Sequence, residues 1–93
     1  MKHKRSIIPG DQDDTCYICG KPGMMDVHHM LHGPYRKLAD HYRLTVHLCK
    51  NCHRLLHDTG LNDRELQRLA QKTFEKEYGH ARWMEEFGKS WLE

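Results

Sequence analysis

The sequence CYIC at residues 16–19 and the sequence CKNCHRLLH at residues 49–57 decide the fold of this chain. Each contains a CxxC pair, which places two thiolates on one side of a tight turn. Two such pairs supply the four soft ligands of a tetrahedral structural zinc. We therefore predict one Zn²⁺ site formed by Cys16, Cys19, Cys49 and Cys52.

The size of the chain also favours a metal. A single domain of 93 residues, 38% of them hydrophobic and 30% charged, has a core that is marginally stable by itself. The basic N-terminus is not followed by an apolar run of signal-peptide length, and no stretch approaches the roughly 20 apolar residues of a membrane span. We expect a cytoplasmic protein with no membrane partner, and we favour zinc over disulfides because thiols stay reduced there.

The region between and around the CxxC pairs predicts a small α+β unit. Residues 26–31 and residues 43–48 are short and rich in apolar and β-branched side chains, which predicts two strands. Residues 32–41 are polar and predict a loop. Residues 50–58 suit a short helix that Gly60 would close as its C-cap.

Residues 62–92 predict two helices separated at Gly79. Asn62 is a suitable N-cap, and Glu65 would complete a capping box with it. The second helix carries an apolar stripe that indicates core packing or a dimer seam: Trp83, Met84, Phe87 and Trp91. The predicted organisation is a flexible basic arm over 1–13, a zinc-held core over 14–60 and a helical extension over 61–93, all within a single domain.

Four histidines fall at informative spacings. His28 and His29 are neighbours on a predicted strand, so their side chains point to opposite faces. His53 and His57 are four residues apart on a predicted helix and share one face. Any one of them alone is typical of a surface or core histidine, and His53 is also able to replace a cysteine at the zinc. Together they indicate a second, reactive metal site.

These motifs resemble those of the HNH (ββα-metal, His-Me finger) endonucleases. The similarity is greatest to short phage-encoded HNH-like proteins with two CxxC zinc knuckles, and it covers residues 14–58, about half of the chain. It implies a ββα-metal core held together by the four-cysteine zinc and followed by two C-terminal helices. It also implies hydrolysis of DNA phosphodiester bonds and a location in the cytoplasm of a bacterial host cell.

The resemblance assigns roles residue by residue. It makes His29 the general base and gives one catalytic divalent metal to His28, His53 and His57. Imidazole ligands favour Mn²⁺, Ni²⁺, Co²⁺ or Zn²⁺ over Mg²⁺. Leu44 stands where the family has the asparagine that orients the base. The side chains that would replace it are Asp40 and His41.

The net charge of +2 permits contact with nucleic acid without arguing for it. Five basic residues near the predicted site are candidates for phosphate contact: Arg36, Lys37, Arg43, Lys50 and Arg54. Phosphate contacts carry no sequence information, so we expect low sequence specificity and include branched and single-stranded DNA among the substrates. The residue pattern leaves DNA and RNA both open.

Two other interpretations remain at this point. The chain is a catalytically degenerate zinc module that binds DNA or a protein, or it is an interaction protein that docks through its aromatic tail. A homodimer through the C-terminal helices is compatible with each of these interpretations and with the nuclease.

Overall fold

The computed structural model describes residues 6–92. This part of the chain contains two short antiparallel strands and four α-helices, joined by turns and loops. The elements, in chain order, are β1 (Asp26–His29), α1 (Arg36–His41), β2 (Thr45–Leu48), α2 (Lys50–Thr59), α3 (Asp63–Tyr78) and α4 (His80–Phe87). None of these helices combines the length and the apolar character that a membrane crossing requires.

The two strands form the hairpin that carries the histidine pair. They are antiparallel, with His28 opposite Val46 and His29 opposite Thr45. The pairing extends one step beyond the strands, since Met30 N–H donates to the carbonyl of Leu44 at 3.0 Å. Val46 is fully buried, which explains why a β-branched, apolar stretch pairs at this place. Both predicted strands are confirmed, each somewhat shorter than expected.

The prediction of a loop over residues 32–41 is wrong. The segment forms one turn of 3₁₀ helix at Gly33–Tyr35, which continues directly into α1. Pro34 lies at the start of the turn, where its fixed φ suits a helix and its missing N–H costs nothing. Ala39 in α1 is completely buried, so packing against the hairpin stabilises a helix that the polar composition conceals.

Helix α2 begins within the second CxxC pair and agrees with the prediction. Its N-cap is Cys49, whose sulfur accepts a hydrogen bond from the N–H of Cys52 at 3.4 Å. It ends at Gly60, which has a φ of 77° and donates its N–H to the carbonyl of Leu56 at 2.8 Å. A side chain other than glycine is strained at this φ, so Gly60 is the C-cap that the sequence indicates.

Helices α3 and α4 pack against each other around an aromatic core. Trp83 stacks on Phe87 with ring centroids 3.9 Å apart, and both contact Phe74 edge-on. The Trp83 indole donates its Nε1–H to the carbonyl of Lys89 at 2.7 Å. Both predicted helices form, but α4 ends at Phe87, where Gly88 adopts a left-handed φ of 69°, so Trp91 of the predicted stripe lies beyond the helix. Trp83 and Phe87 lie in the core of the chain itself.

The predicted capping box at the start of α3 does not form. Asn62 precedes the helix in a left-handed conformation, with a φ of 65°, and its side chain makes no capping hydrogen bond. The carboxylates of Asp63 and Glu65 lie in the first turn instead, where the positive end of the helix dipole favours them.

The N-terminal segment differs from the predicted flexible arm. Residues 1–5 lie outside the described residues, but from Ser6 onward the chain packs along β2. Ile8 is buried, and Ile7 N–H donates to the carbonyl of Arg43 at 3.1 Å. The carboxylate of Asp11 accepts hydrogen bonds from the backbone N–H of His47 at 2.8 Å and from its Nδ1 at 2.7 Å.

Candidate metal centres

The four cysteines form one cluster, as predicted. Their sulfur atoms all lie within 4.8 Å of one another, and Cys19 Sγ is 3.8 Å from Cys49 Sγ. Thiolates bound to a tetrahedral zinc at about 2.3 Å are separated from one another by roughly 3.8 Å. The cluster therefore has the dimensions of a zinc site, and four protein ligands leave no position for a substrate.

Local backbone geometry builds the first knuckle. Cys19 N–H donates to Cys16 Sγ at 3.5 Å, and Gly20 N–H donates to the carbonyl of Cys16 at 2.8 Å. Gly20 has a φ of 78°, a conformation that glycine adopts without strain. Tyr17 N–H then donates to the carbonyl of His47 at 2.8 Å, which attaches the knuckle to β2.

The thiols of the cluster differ in how readily they ionise. Burial raises the pKa of Cys16, but backbone N–H groups of Cys19, Cys49 and Ile18 outweigh this and lower the pKa to about 6. Burial and the neighbouring sulfur atoms raise the pKa of Cys52 to about 12. Cys16 thus loses its proton readily, and the resulting negative charge opposes ionisation of Cys52. A bound Zn²⁺ removes that conflict because it favours all four thiolates.

Three histidines form a second cluster beside the first. His28 on β1 and His53 and His57 on α2 have ring nitrogens within 4.8 Å of one another. The Nε2 atoms of His53 and His57 are 3.1 Å apart, and the ring centroid of His28 lies 5.2 Å from that of His53. The structure therefore brings together the three side chains that the resemblance gives to the catalytic metal.

His28 has the features of a metal ligand. Its side chain is buried, and its Nε2 has no hydrogen-bond partner among residues 6–92. Burial, with smaller effects from the charges of His53, His32, His57 and His29, lowers its pKa to about 3. The ring is therefore neutral near pH 7. A buried nitrogen without a partner is rare in folded proteins, and a divalent cation would satisfy it.

Asp26 adjoins the second cluster and contacts one of its ligands, a role that the motif spacing did not predict. His53 Nδ1 donates to Asp26 Oδ2 at 3.2 Å, which leaves His53 Nε2 as the lone-pair nitrogen beside His57. The hydrogen bond from His53 lowers the pKa of Asp26, with a smaller contribution from Lys50. Carboxylates commonly orient histidine ligands in this way. The available signal was strand alternation, which puts Asp26 on the same face as His28.

His29 lies outside the ligand cluster. Its side chain turns toward α1, as alternation along β1 requires, and its Nε2 is 3.2 Å from Asp40 Oδ1. Asp40 is 74% exposed and His29 is 20% exposed, so the pair is accessible to solvent. Of the two residues predicted to orient His29, the structure places only Asp40 beside it. The ring of His41 packs edge-on against Tyr42.

Leu44 is fully buried in the hydrophobic core. Its N–H donates to the carbonyl of Ala39 at 2.7 Å, and its carbonyl accepts from Met30. The position where the family has an asparagine side chain therefore joins α1 to the hairpin through backbone hydrogen bonds.

The five predicted phosphate contacts are all exposed. Arg36 and Lys37 lie on α1, and Lys50 and Arg54 lie on α2. Arg43 precedes β2 with a left-handed φ of 60°. Lys50 Nζ is 3.5 Å from Asp26 Oδ1, which partly neutralises its charge beside the histidine cluster.

A further pair, His32 and Asp63, also adjoins His28 and was missed. His32 Nε2 is 2.7 Å from Asp63 Oδ1, and the two side chains have ligand atoms within 4.8 Å of His28. Asp63 is the first residue of α3 and is distant from His32 in sequence, so no local spacing connects the two.

The histidine cluster joins the hairpin to α2, and the cysteine cluster fixes the start of that same helix. These two clusters are the features of the described chain that bear most directly on function. Comparisons of the chain with protein-family models, with curated proteins and with solved structures found no match.

Proposed function

We propose that this chain is a metal-dependent endonuclease of the HNH (ββα-metal) type that hydrolyses DNA phosphodiester bonds. The observation that carries the proposal is the convergence of His28, His53 and His57 around a buried, unpartnered nitrogen. A metal site made only for structure would not require the neighbouring, solvent-accessible His29–Asp40 pair.

The arrangement of elements supports a ββα-metal core. Helix α2 packs against both β1 and β2. The first strand supplies His28 and the helix supplies His53 and His57, so any cation bound by the three lies between the hairpin and the helix. Helix α1 is an insertion between the strands, and it contributes Asp40.

A zinc ion bound by the four cysteines would help to position the residues of the histidine cluster. Cys49 and Cys52 lie at and near the start of α2, and His53 directly follows Cys52. Fixing that first turn also fixes the position of the His53 ring on the same turn. The proposed structural metal therefore orients ligands of the proposed catalytic metal.

The residues have distinct tasks in the proposed reaction. His28, His53 and His57 hold the cation, which supplies Lewis-acid stabilisation of negative charge on the phosphate. His29 accepts the proton of the attacking water. The carboxylate of Asp40 accepts the proton on His29 Nε2, which leaves Nδ1 with the lone pair that a general base needs.

Exposed basic side chains would hold the DNA backbone. Within residues 6–92, four of the five make no ion pair with a carboxylate: Arg36, Lys37, Arg43 and Arg54. They are therefore available to phosphates. Contacts of this kind position a nucleic acid without reading its bases, which supports low sequence specificity and a role for branched or single-stranded DNA.

Metal-dependent nicking of supercoiled plasmid tests the proposed activity. Protein that keeps its cysteine-bound zinc is freed of other metal and then given one cation at a time. All of Mn²⁺, Ni²⁺, Co²⁺ and Zn²⁺ are expected to bind better than Mg²⁺, because imidazole nitrogen prefers borderline cations, and at least one of them is expected to support more nicking than Mg²⁺ at equal concentration. Activity with Mg²⁺ alone would contradict the three-histidine site, and no nicking with any cation would contradict a plasmid nuclease.

A zinc module that binds DNA or a protein without cutting is the second candidate. The observation that favours it is Leu44, which is buried and has no polar side chain to offer the base. Such a module needs the cysteine zinc alone. Binding of a second cation at the histidines separates the two candidates.

A further inference from the structure

We propose that His32 is a fourth imidazole ligand of the cation held by His28, His53 and His57, and that Asp63 orients it. The proposal rests on the proposed second metal site and adds to it two residues that neither the motif spacing nor the resemblance singled out.

The first support is the position of the His32 ring beside His28 and His57. The ligand atoms of His28, His32 and Asp63 lie within 4.8 Å of one another, and this group shares His28 with the group of His28, His53 and His57. Because the two groups are separate, one cation bound by all four imidazoles requires the His32 ring to rotate toward His53 and His57. The centroid of His28 lies 5.4 Å from that of His32, 5.2 Å from that of His53 and 5.6 Å from that of His57. The centroids of His32 and His57 are 6.0 Å apart, and those of His53 and His57 are 4.7 Å apart. A cation with metal–nitrogen bonds of about 2.0–2.1 Å and tetrahedral ligands places imidazole centroids roughly 5 Å from one another.

Ring stacking does not explain this grouping. The planes of these ring pairs are inclined by 53° to 75°, so none is a face-to-face stack. Imidazole rings gathered this closely bring lone-pair nitrogens near one another, which is electrostatically unfavourable. A shared cation turns the same arrangement from unfavourable to favourable because every ring then offers a lone pair.

The second support is the carboxylate behind His32. Asp63 Oδ1 accepts the proton on His32 Nε2 at 2.7 Å, which leaves His32 Nδ1 with the free lone pair. Asp26 acts on His53 in the same manner at 3.2 Å. Gln67 Nε2 donates to Asp63 Oδ2 at 3.3 Å and holds the carboxylate in place. Two of the four imidazoles therefore have a dedicated orienting carboxylate.

A fourth imidazole ligand changes which cations the site binds and how many coordination positions stay open. Four imidazole nitrogens form a set of borderline donors that suits Zn²⁺, Ni²⁺ or Co²⁺ and disfavours Mg²⁺. They fill a tetrahedral zinc completely, whereas a six-coordinate ion keeps two positions for water and a phosphate oxygen. The pair also connects α3 to the site, because Asp63 is the first residue of that helix.

The test is calorimetric titration of Ni²⁺ into full-length protein that carries its cysteine-bound zinc. Wild type is compared with His32→Ala, Asp63→Ala and the control His80→Ala. His80 also pairs with a carboxylate, Glu75, at 2.7 Å, but it lies at the start of α4 and outside the cluster. We expect Asp63→Ala to weaken Ni²⁺ binding by about 10–100-fold, His32→Ala to weaken it at least as much, and His80→Ala to leave it unchanged.

Zinc content and circular dichroism confirm that each variant is folded, and His32→Gln replaces His32→Ala if the alanine variant is not. Equal Ni²⁺ affinity in wild type and the His32 variant would overturn the fourth ligand and leave the three-histidine site standing. Unchanged affinity in Asp63→Ala would overturn the role of Asp63. Wild type that binds no Ni²⁺ beyond its zinc would overturn this inference together with the proposed second site.

Discussion

Removal of zinc from the four cysteines is expected to unfold the chain. Metal binding contributes about 10–16 kcal/mol of apparent free energy in small zinc modules, whereas a whole domain is stable by only about 5–15 kcal/mol. The zinc would join the knuckle around Cys16 to the start of α2, two segments that are far apart in the sequence. Circular dichroism and thermal melting, recorded with and without a strong chelator, measure the loss.

Addition of one equivalent of Zn²⁺ to the chelated protein is the control, and it should restore the spectrum. Cys52→Ser should reproduce the chelated state, since a serine hydroxyl is a poor substitute for a thiolate at zinc. A chain shown to be free of zinc, yet with an unchanged spectrum and melting temperature, would show that the cysteine site is dispensable for folding.

Substitution of the proposed general base has the second largest expected effect. His29→Ala should lower the cleavage rate by about 10²–10⁴-fold, the usual loss when a general base is removed. Binding of the two metals should not change, because the His29 ring contacts Asp40 and not the ligand cluster. Single-turnover cleavage at saturating metal, with metal content measured on the same samples, separates the rate from occupancy.

His41→Ala is the matched control for this experiment. His41 is an exposed histidine at the end of α1, next to Asp40 in sequence, and its ring contacts Tyr42. Its removal should leave the rate near that of wild type. Cleavage by His29→Ala at the wild-type rate would remove His29 from the reaction, and a loss in His41→Ala equal to that in His29→Ala would remove the distinction between them.

Residue spacing within a few positions correctly predicted the features that depend on the geometry of a single turn, helix or strand. A CxxC pair places two sulfur atoms on one side of a turn wherever it occurs, so each half of the cysteine cluster follows from spacing. The meeting of the two halves was predicted from the four-ligand chemistry of zinc. Residues four apart on a helix share a face, so His53 and His57 were expected to be neighbours. Strand alternation likewise separated His28 from His29, and the structure shows them facing α2 and α1 respectively.

Long-range packing determines what the sequence analysis missed. Helix α1 forms where the composition predicts a loop, because Ala39 is buried against the hairpin. Asp11 fixes the N-terminal segment through His47, a residue far along the chain. The contact between His32 and Asp63 depends on the direction of α3 relative to α2. The turn between these helices sets that direction, and Gly60 and Asn62 in it both adopt positive φ. No local periodicity encodes that turn direction.

The number of metal ions bound per chain tests the proposed site most directly. Wild type and His53→Ala are dialysed with excess Ni²⁺ after zinc loading, and both metals are quantified by elemental analysis. We predict one zinc and one nickel per chain in wild type, and one zinc with markedly less nickel in His53→Ala at an unchanged circular dichroism spectrum. Wild type that retains zinc alone, or a His53→Ala variant that retains the full nickel content, would contradict a catalytic metal held by the histidine cluster.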